Sequence, residues 1–197
     1  MKDETKQDRN LNIRTAGRDA SSEDAHHLPY EPTPYPVLER LAGSGWIGRD
    51  NLLVDYGCGK GRVPLYLSRV LGCRAVGIDF NPLLVAQAER NLASVNGEVR
   101  ASFLCERAER FEVPPDADRF YFFNPFPLTT LCSAVSRILV SRYAAPRRIL
   151  LIFYYPSDEY VRYLMNAEGL EPAGEIGCAD LYPGDPRERL LCFGMPE

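Results

Sequence analysis

The chain predicts an α/β fold: a doubly wound, mostly parallel seven-stranded sheet in three α/β/α layers, closed by an antiparallel C-terminal hairpin. Three observations predict it. Short apolar segments alternate with amphipathic helical ones from Leu52 to Tyr163, the pattern of βαβ units around a parallel sheet. The stretch Asp118 to Phe123 is almost wholly apolar and aromatic, as a parallel strand covered on both faces should be. After five such units come two strand-like segments, about Gly174–Cys178 and Arg189–Phe193. The stretch between them, Leu181-Tyr182-Pro183-Gly184-Asp185-Pro186, is rich in turn residues.

At 197 residues the chain fits one domain with a real core. Residues 1–28 are polar and mixed in charge, too poor in apolar surface to offset their ordering entropy, and read as a disordered tail; residues 29–197 read as the folded domain. No apolar run approaches the ~20 residues of a membrane span, and no hydrophobic segment follows Met1-Lys2-Asp3-Glu4, so no membrane partner and a cytoplasmic location are expected. The 6 cysteines are scattered without a C-x-x-C pair and are expected to be reduced. No metal site is expected, since the only histidines, His26 and His27, lie in the polar tail. A net charge of −4 argues against nucleic acid as a partner. Arg137, Arg142, Arg147 and Arg148 fall at the wrong end of the sheet for a site and read as a solvated face.

In chain order, Tyr30-Glu31-Pro32-Thr33-Pro34-Tyr35-Pro36 is held extended by alternating prolines. A short helix carrying Val37, Leu38 and Leu41 follows and stops at Gly43 and Gly45. Then comes the stretch around which the chain is organised, Leu52-Leu53-Val54-Asp55-Tyr56-Gly57-Cys58-Gly59-Lys60-Gly61-Arg62. An apolar strand runs into three alternate glycines and then directly into a helix bearing Val63, Leu67, Val70 and Leu71, capped by Gly72. The next strand, Arg74 to Asp79, ends in a carboxylate roughly 20 residues past the glycines, the distance of an acid that accepts hydrogen bonds from a ribose. Asn81-Pro82 starts the following helix, which stops at Asn96-Gly97. Val99–Cys105 is the third strand, Asp118–Phe123 the fourth, and Leu128 to about Tyr143 the next helix. Arg148–Tyr155 is the fifth strand, and Ser157 caps the helix of Tyr160, Tyr163 and Leu164.

The spacing of the glycines separates three nucleotide-binding loops. A Walker loop needs four residues between its first glycine and Gly-Lys, then Ser or Thr; Gly61 follows Lys60 and the upstream glycine is missing. A dinucleotide fingerprint needs its third glycine where Arg62 stands, which disfavours a nicotinamide-dependent oxidoreductase. The remaining pattern, Asp-x-Gly-x-Gly-x-Gly, resembles motif I of class I methyltransferases that use S-adenosylmethionine (SAM).

That resemblance covers roughly residues 30–194 and is nearest to a small group whose fourth strand ends Phe-Asn-Pro-Phe, as Phe123 to Phe126 do here. It implies SAM as cofactor and S-adenosylhomocysteine as product, with Asp55, Gly57, Cys58 and Gly59 around the methionine end and Asp79 on the ribose. Phe80 would lie beside the adenine, or serve only as core. Glu106 and Arg107 stand where such enzymes contact the adenine amino group. The Tyr30–Tyr35 stretch is similar to an element that closes the cofactor site through Tyr35; a rigid connector packing both tyrosines on the core explains it equally. Asn124-Pro125-Phe126-Pro127 resembles the tetrapeptide of amino-methylating enzymes, with Phe126 in place of the second proline. It implies Asn124 as the catalytic residue, also touching cofactor, and Pro125, Phe126 and Tyr155 as substrate contacts. The expected function is methyl transfer by in-line displacement to an unidentified acceptor, a small molecule or protein side chain rather than nucleic acid. A non-catalytic SAM-binding scaffold of the same fold is the alternative.

Overall fold

The computed structural model describes residues 2–17 and 30–195. Its elements are α1 (Lys2–Leu11), α2 (Tyr35–Gly43), β1 (Leu52–Tyr56), α3 (Arg62–Leu71), β2 (Arg74–Asp79), α4 (Pro82–Ser94), β3 (Arg100–Cys105), β4 (Arg119–Phe122), α5 (Leu128–Ala144), β5 (Ile149–Tyr154), α6 (Asp158–Asn166), β6 (Glu171–Gly177) and β7 (Arg189–Met195). The sheet order is β3-β2-β1-β4-β5-β7-β6. The first five strands run parallel, and β7 inserts antiparallel between β5 and β6. This is the doubly wound sheet with a closing hairpin that the residue pattern predicts.

Alternation along the strands sorts the core into two layers. Leu53, Tyr121, Ile152, Tyr154 and Cys192 pack with α2, α3 and α4 on one face. Val54, Tyr56, Phe120, Phe122, Leu151 and Phe153 pack with α5 and α6 on the other. Tyr56, Phe122 and Phe153 are partners in register across β1, β4 and β5. Their rings stack 4.8 Å apart at each step, 10° from parallel. The central strands are thereby locked in one register, which fixes where their C-terminal ends fall.

Local signals end the helices where the sequence places them. Asn81 caps α4 by accepting from the Leu83 amide at 2.9 Å. Ser157 caps α6 through the Tyr160 amide. Gly72 ends α3 in the left-handed conformation.

The N-terminal segment departs from expectation. The part of residues 1–28 that the structure describes is folded: α1 packs against α2, with Leu11 and Ile13 in the core. What composition hides is that polar side chains dock it. Asp8 is buried and accepts from the Thr15 amide (2.6 Å), the Thr15 hydroxyl (2.6 Å), the Ala16 amide (3.0 Å) and the Tyr35 hydroxyl (2.6 Å). Its charge and that of Glu4 face Arg62, itself 2 % exposed. A buried carboxylate so fully bonded is retained where an unpaired one would not be. His26 and His27, with the rest of 18–29, lie outside the described residues.

Candidate active site

The C-terminal ends of β1, β2, β4 and β5 converge on one rim, where an open parallel sheet takes its ligands. Two adjoining cavities lie there, of about 220 and 100 Å³. They share Gly57, Asp79, Phe80 and Pro125 as a common wall.

The glycine loop between them is built by hydrogen bonds that engage the amides of Gly57, Cys58, Gly59 and Gly61. Gly57 and Cys58 both donate to the Ile78 carbonyl at 2.9 Å, and Gly61 donates to the Cys58 carbonyl at 2.9 Å. The Gly59 amide donates to Asp79 Oδ2 at 3.0 Å. A pyrophosphate needs such amides pointing outward, so this loop is ill suited to a dinucleotide. Close approach explains the glycines. At Gly57 (φ +78°) an added Cβ would stand 2.6 Å from Pro125 Cβ, and at Gly59 (φ +53°) 2.2 Å from the Tyr30 ring. One neighbour brings the end of β4 onto the loop, and the other lays the extended residues 30–34, the strap that precedes α2, across it.

Asp79 holds the loop and the start of α4 together, accepting from Gly59 and, through Oδ1, from the Asn81 amide at 2.9 Å. A carboxylate has about four acceptor sites, so a vicinal diol suits the same oxygens from the cavity side. Asp55 is the register partner of Tyr121 on β4 and is 3 % exposed. Burial first, and then the neighbouring Asp79 charge, raises its pKa well above the usual carboxylate range. A cation in the larger cavity would reverse that balance. Burial likewise keeps Cys58 a thiol. The cavity phenols are held neutral too: burial raises Tyr30 and Tyr121, and a hydrogen bond to Asp185 raises Tyr155. No phenolate or thiolate base therefore stands in the cavity near neutral pH.

The larger cavity brings together Asp55, Gly57, Cys58, Asp79, Phe80, Asn124, Pro125 and Tyr155, all singled out in the sequence. Asn124 and Tyr155 end adjacent parallel strands, and both take positive φ, +42° and +50°. Such conformations are uncommon outside glycine, and strained residues cluster at functional sites. The Tyr155 hydroxyl is tied to Asp185 Oδ2 at 2.5 Å and receives a bond from Arg187, so the β6–β7 connection fixes this wall. Glu106 and Arg107 line the smaller cavity with Phe126. Glu106 curls back to accept from the Arg107 amide at 2.7 Å, and the Arg107 guanidinium pairs with Glu109 at 2.7 Å.

Three expected residues fall elsewhere, the first being Gly59, which lies against the Tyr30 ring and lines neither cavity. Tyr35 reaches neither cavity. It is 1 % exposed, hydrogen-bonded to Asp8, and lies under the Arg62 guanidinium at 4.4 Å. Tyr30 and Thr33 of the same strap line the larger cavity in its place. Phe126 points the other way, edge-on to Phe122 at 6.2 Å, with its carbonyl accepting from Tyr160. It borders the smaller cavity rather than the Asn124 side, and Phe123 supplies the aromatic wall there. Sequence reasoning also missed Arg62 and the Thr33–Tyr121 hydroxyl pair (2.9 Å) as cavity residues. The signal available for Tyr121 was its position opposite Asp55 in a neighbouring strand.

This topology is that of class I, Rossmann-like methyltransferases, and residues 53–139 match the family described as a methyltransferase domain. The matched segment, less than half of the chain, holds most of β1, the glycine loop, Asp79 and Asn124. Over 88 residues it is 31% identical to a protein-lysine N-methyltransferase of Saccharolobus islandicus (strain REY15A), a match covering 44% of this chain and 53% of that one. The chain thus spans about half the length of this curated relative. Among solved structures, an RNA methyltransferase from Salinibacter ruber in complex with S-adenosyl-L-homocysteine superposes with a TM-score of 0.58 at 20% identity, over 85% of this chain and 95% of that one. The N-methyltransferase NodS from Bradyrhizobium japonicum WM9 gives 0.59 at 18% identity, over 81% and 93%. These two likenesses bear on the fold. No described helix is long and apolar enough to cross a membrane.

Proposed function

We propose that the protein transfers the methyl group of SAM to an amine acceptor carried by a small molecule or a protein side chain. The observation that carries this reading is the larger cavity itself. It pairs two buried carboxylates, Asp55 and Asp79, with an aromatic wall of Tyr30, Phe80, Tyr121, Phe123 and Tyr155, and Asn124 stands at its edge. Carboxylates and ring faces both favour cations, which suits the sulfonium and ammonium of SAM. Asp79 would take the ribose diol, Asp55 the methionine ammonium, and the Glu106–Arg107 cavity the adenine.

In the transfer, the acceptor lone pair forms the new bond to the methyl carbon while the carbon–sulfur bond breaks and its electrons stay on sulfur. The products are S-adenosylhomocysteine and a methylated ammonium, which then gives its proton to water. Most of the barrier reduction comes from holding the two reactants in line. With the cavity phenols and the Cys58 thiol neutral, this chain would contribute orientation rather than proton abstraction, with Asn124, which lines the cavity, as the residue that would align an acceptor N–H. Similarity to a lysine methyltransferase supports an amine acceptor.

The test is incubation with methyl-labelled SAM and cell extract, followed by separation of protein from small molecules. Label in an amine of either fraction, dependent on the wild-type chain and lost in Asn124→Ala, is expected. Tight SAM binding without label in any fraction would favour the non-catalytic scaffold, and label in RNA would overturn the acceptor assignment.

A further inference from the structure

The mechanism above leaves unused a buried polar cluster around Arg62. Arg62 is the first residue of α3, directly after the glycine loop, and is 2 % exposed. Its Nε donates to the Thr15 hydroxyl at 2.7 Å, and its Nη1 donates to the Thr33 carbonyl at 3.0 Å and pairs with Glu4. Its Nη2 stands 3.6 Å from Asp8 Oδ1 and makes no hydrogen bond. One guanidinium therefore joins α1 (Glu4, Asp8), the turn after it (Thr15), the strap (Thr33) and the loop that carries its own backbone.

The strap is where this reaches the chemistry. Tyr30 and Thr33 line the larger cavity, the Tyr30 ring packs on Gly59, and the Tyr30 hydroxyl donates to the Thr15 carbonyl at 2.7 Å. No residue of α1 lines either cavity. A ligand there can act on α1 through the strap and Arg62, beside a second tie in which Asn91 donates to the Lys60 carbonyl and accepts from the Arg14 amide.

We propose that the Glu4–Asp8–Arg62 cluster is a latch that couples docking of α1 to occupancy of the cofactor cavity, with Arg62 as its positioning residue. This rests on the reading of that cavity as the SAM site. The strap roofs the glycine loop, so cofactor must enter past it or under it once it lifts. The cluster sets how readily it lifts. Coupling of this kind is reciprocal: whatever factor docked α1 adds to cofactor affinity, cofactor adds to α1 docking.

The experiment uses the full chain. Amide hydrogen exchange is followed with and without S-adenosylhomocysteine, whose affinity is measured by calorimetry in wild type, Asp8→Asn and Glu4→Gln. In wild type, the ligand is expected to slow exchange across residues 2–11 as well as 57–62. Asp8→Asn should weaken binding by about fivefold or more, the usual lower range of such coupling, and remove the slowing over 2–11. Glu4 is partly exposed, and Glu4→Gln keeps the test available if Asp8→Asn does not fold. A helix with a merely structural role would lower the melting temperature of both variants without changing affinity at temperatures where they are folded. That result, or wild-type binding that leaves 2–11 unchanged, overturns the latch alone. A wild type that binds no S-adenosylhomocysteine overturns the cofactor reading and the latch with it.

Discussion

Gly57→Ala probes the contact that joins the cofactor loop to the acceptor side. Gly57 has φ +78°, where an alanine costs about 1–2 kcal/mol. The new Cβ would also stand 2.6 Å from Pro125 Cβ and 3.5 Å from its Cγ. Proline cannot swing aside, so the backbone of 124–126 must yield, and overpacking of this kind costs about 1–3 kcal/mol. Together these predict a loss of about 2–5 kcal/mol and a melting temperature lower by on the order of 10 °C. Displacing Pro125 also moves Asn124, and a shift near 1 Å can lower turnover by about 100-fold. Gly48→Ala is the control. Its φ is ordinary and its nearest neighbour would be 3.7 Å away, so it should change stability by less than about 0.5 kcal/mol. Denaturant titration gives the first quantity, and single-turnover methyl transfer the second. A Gly57→Ala protein as stable and as active as Gly48→Ala would refute the packing argument.

Two further substitutions separate backbone from side-chain roles. Asn124 is left-handed at φ +42°. Asn124→Gly should therefore be more stable than Asn124→Ala by about 1 kcal/mol in denaturant titrations. Both should lose turnover by at least about tenfold while still binding S-adenosylhomocysteine; full activity in Asn124→Gly would remove the orienting role. Asp55 has a folded pKa raised above its unfolded value, so its contribution to stability is present below the unfolded value of about 3.9 and is lost as pH rises through the folded one. Wild-type stability should therefore fall with pH above about 4 relative to Asp55→Asn, whose side chain carries no charge; parallel curves would contradict the burial argument.

What the sequence made legible was local in origin. The β1–loop–α3 unit and the Asp79 strand can be read because glycine conformation, strand hydrophobicity and helix caps are decided within a few residues. The residues that escaped depend on packing partners far away in the chain. Tyr30 and Tyr35 lie in one proline-stiffened segment, yet one faces the cavity and the other faces Asp8 and Arg62. No periodicity separates them. Phe126 turned inward because the stack of Phe122 and Phe153 offers an apolar surface beside it. Helix α1 was hidden by its composition: it docks through carboxylates whose partner, Arg62, lies more than fifty residues away, and a rule based on apolar content does not see such a contact.

The central claim is that Asp79 and the glycine loop form a SAM site. Calorimetric titration of SAM and S-adenosylhomocysteine into wild type and Asp79→Asn tests it most directly. Asp79 organises the loop through Gly59 and Asn81, and the neutral amide keeps its shape while giving up charge-assisted bonds of about 1.5–3 kcal/mol each. Micromolar binding to wild type, weakened at least about tenfold in Asp79→Asn, is predicted. Equal affinities in the two proteins, or wild-type binding of NAD in preference to SAM, would contradict it.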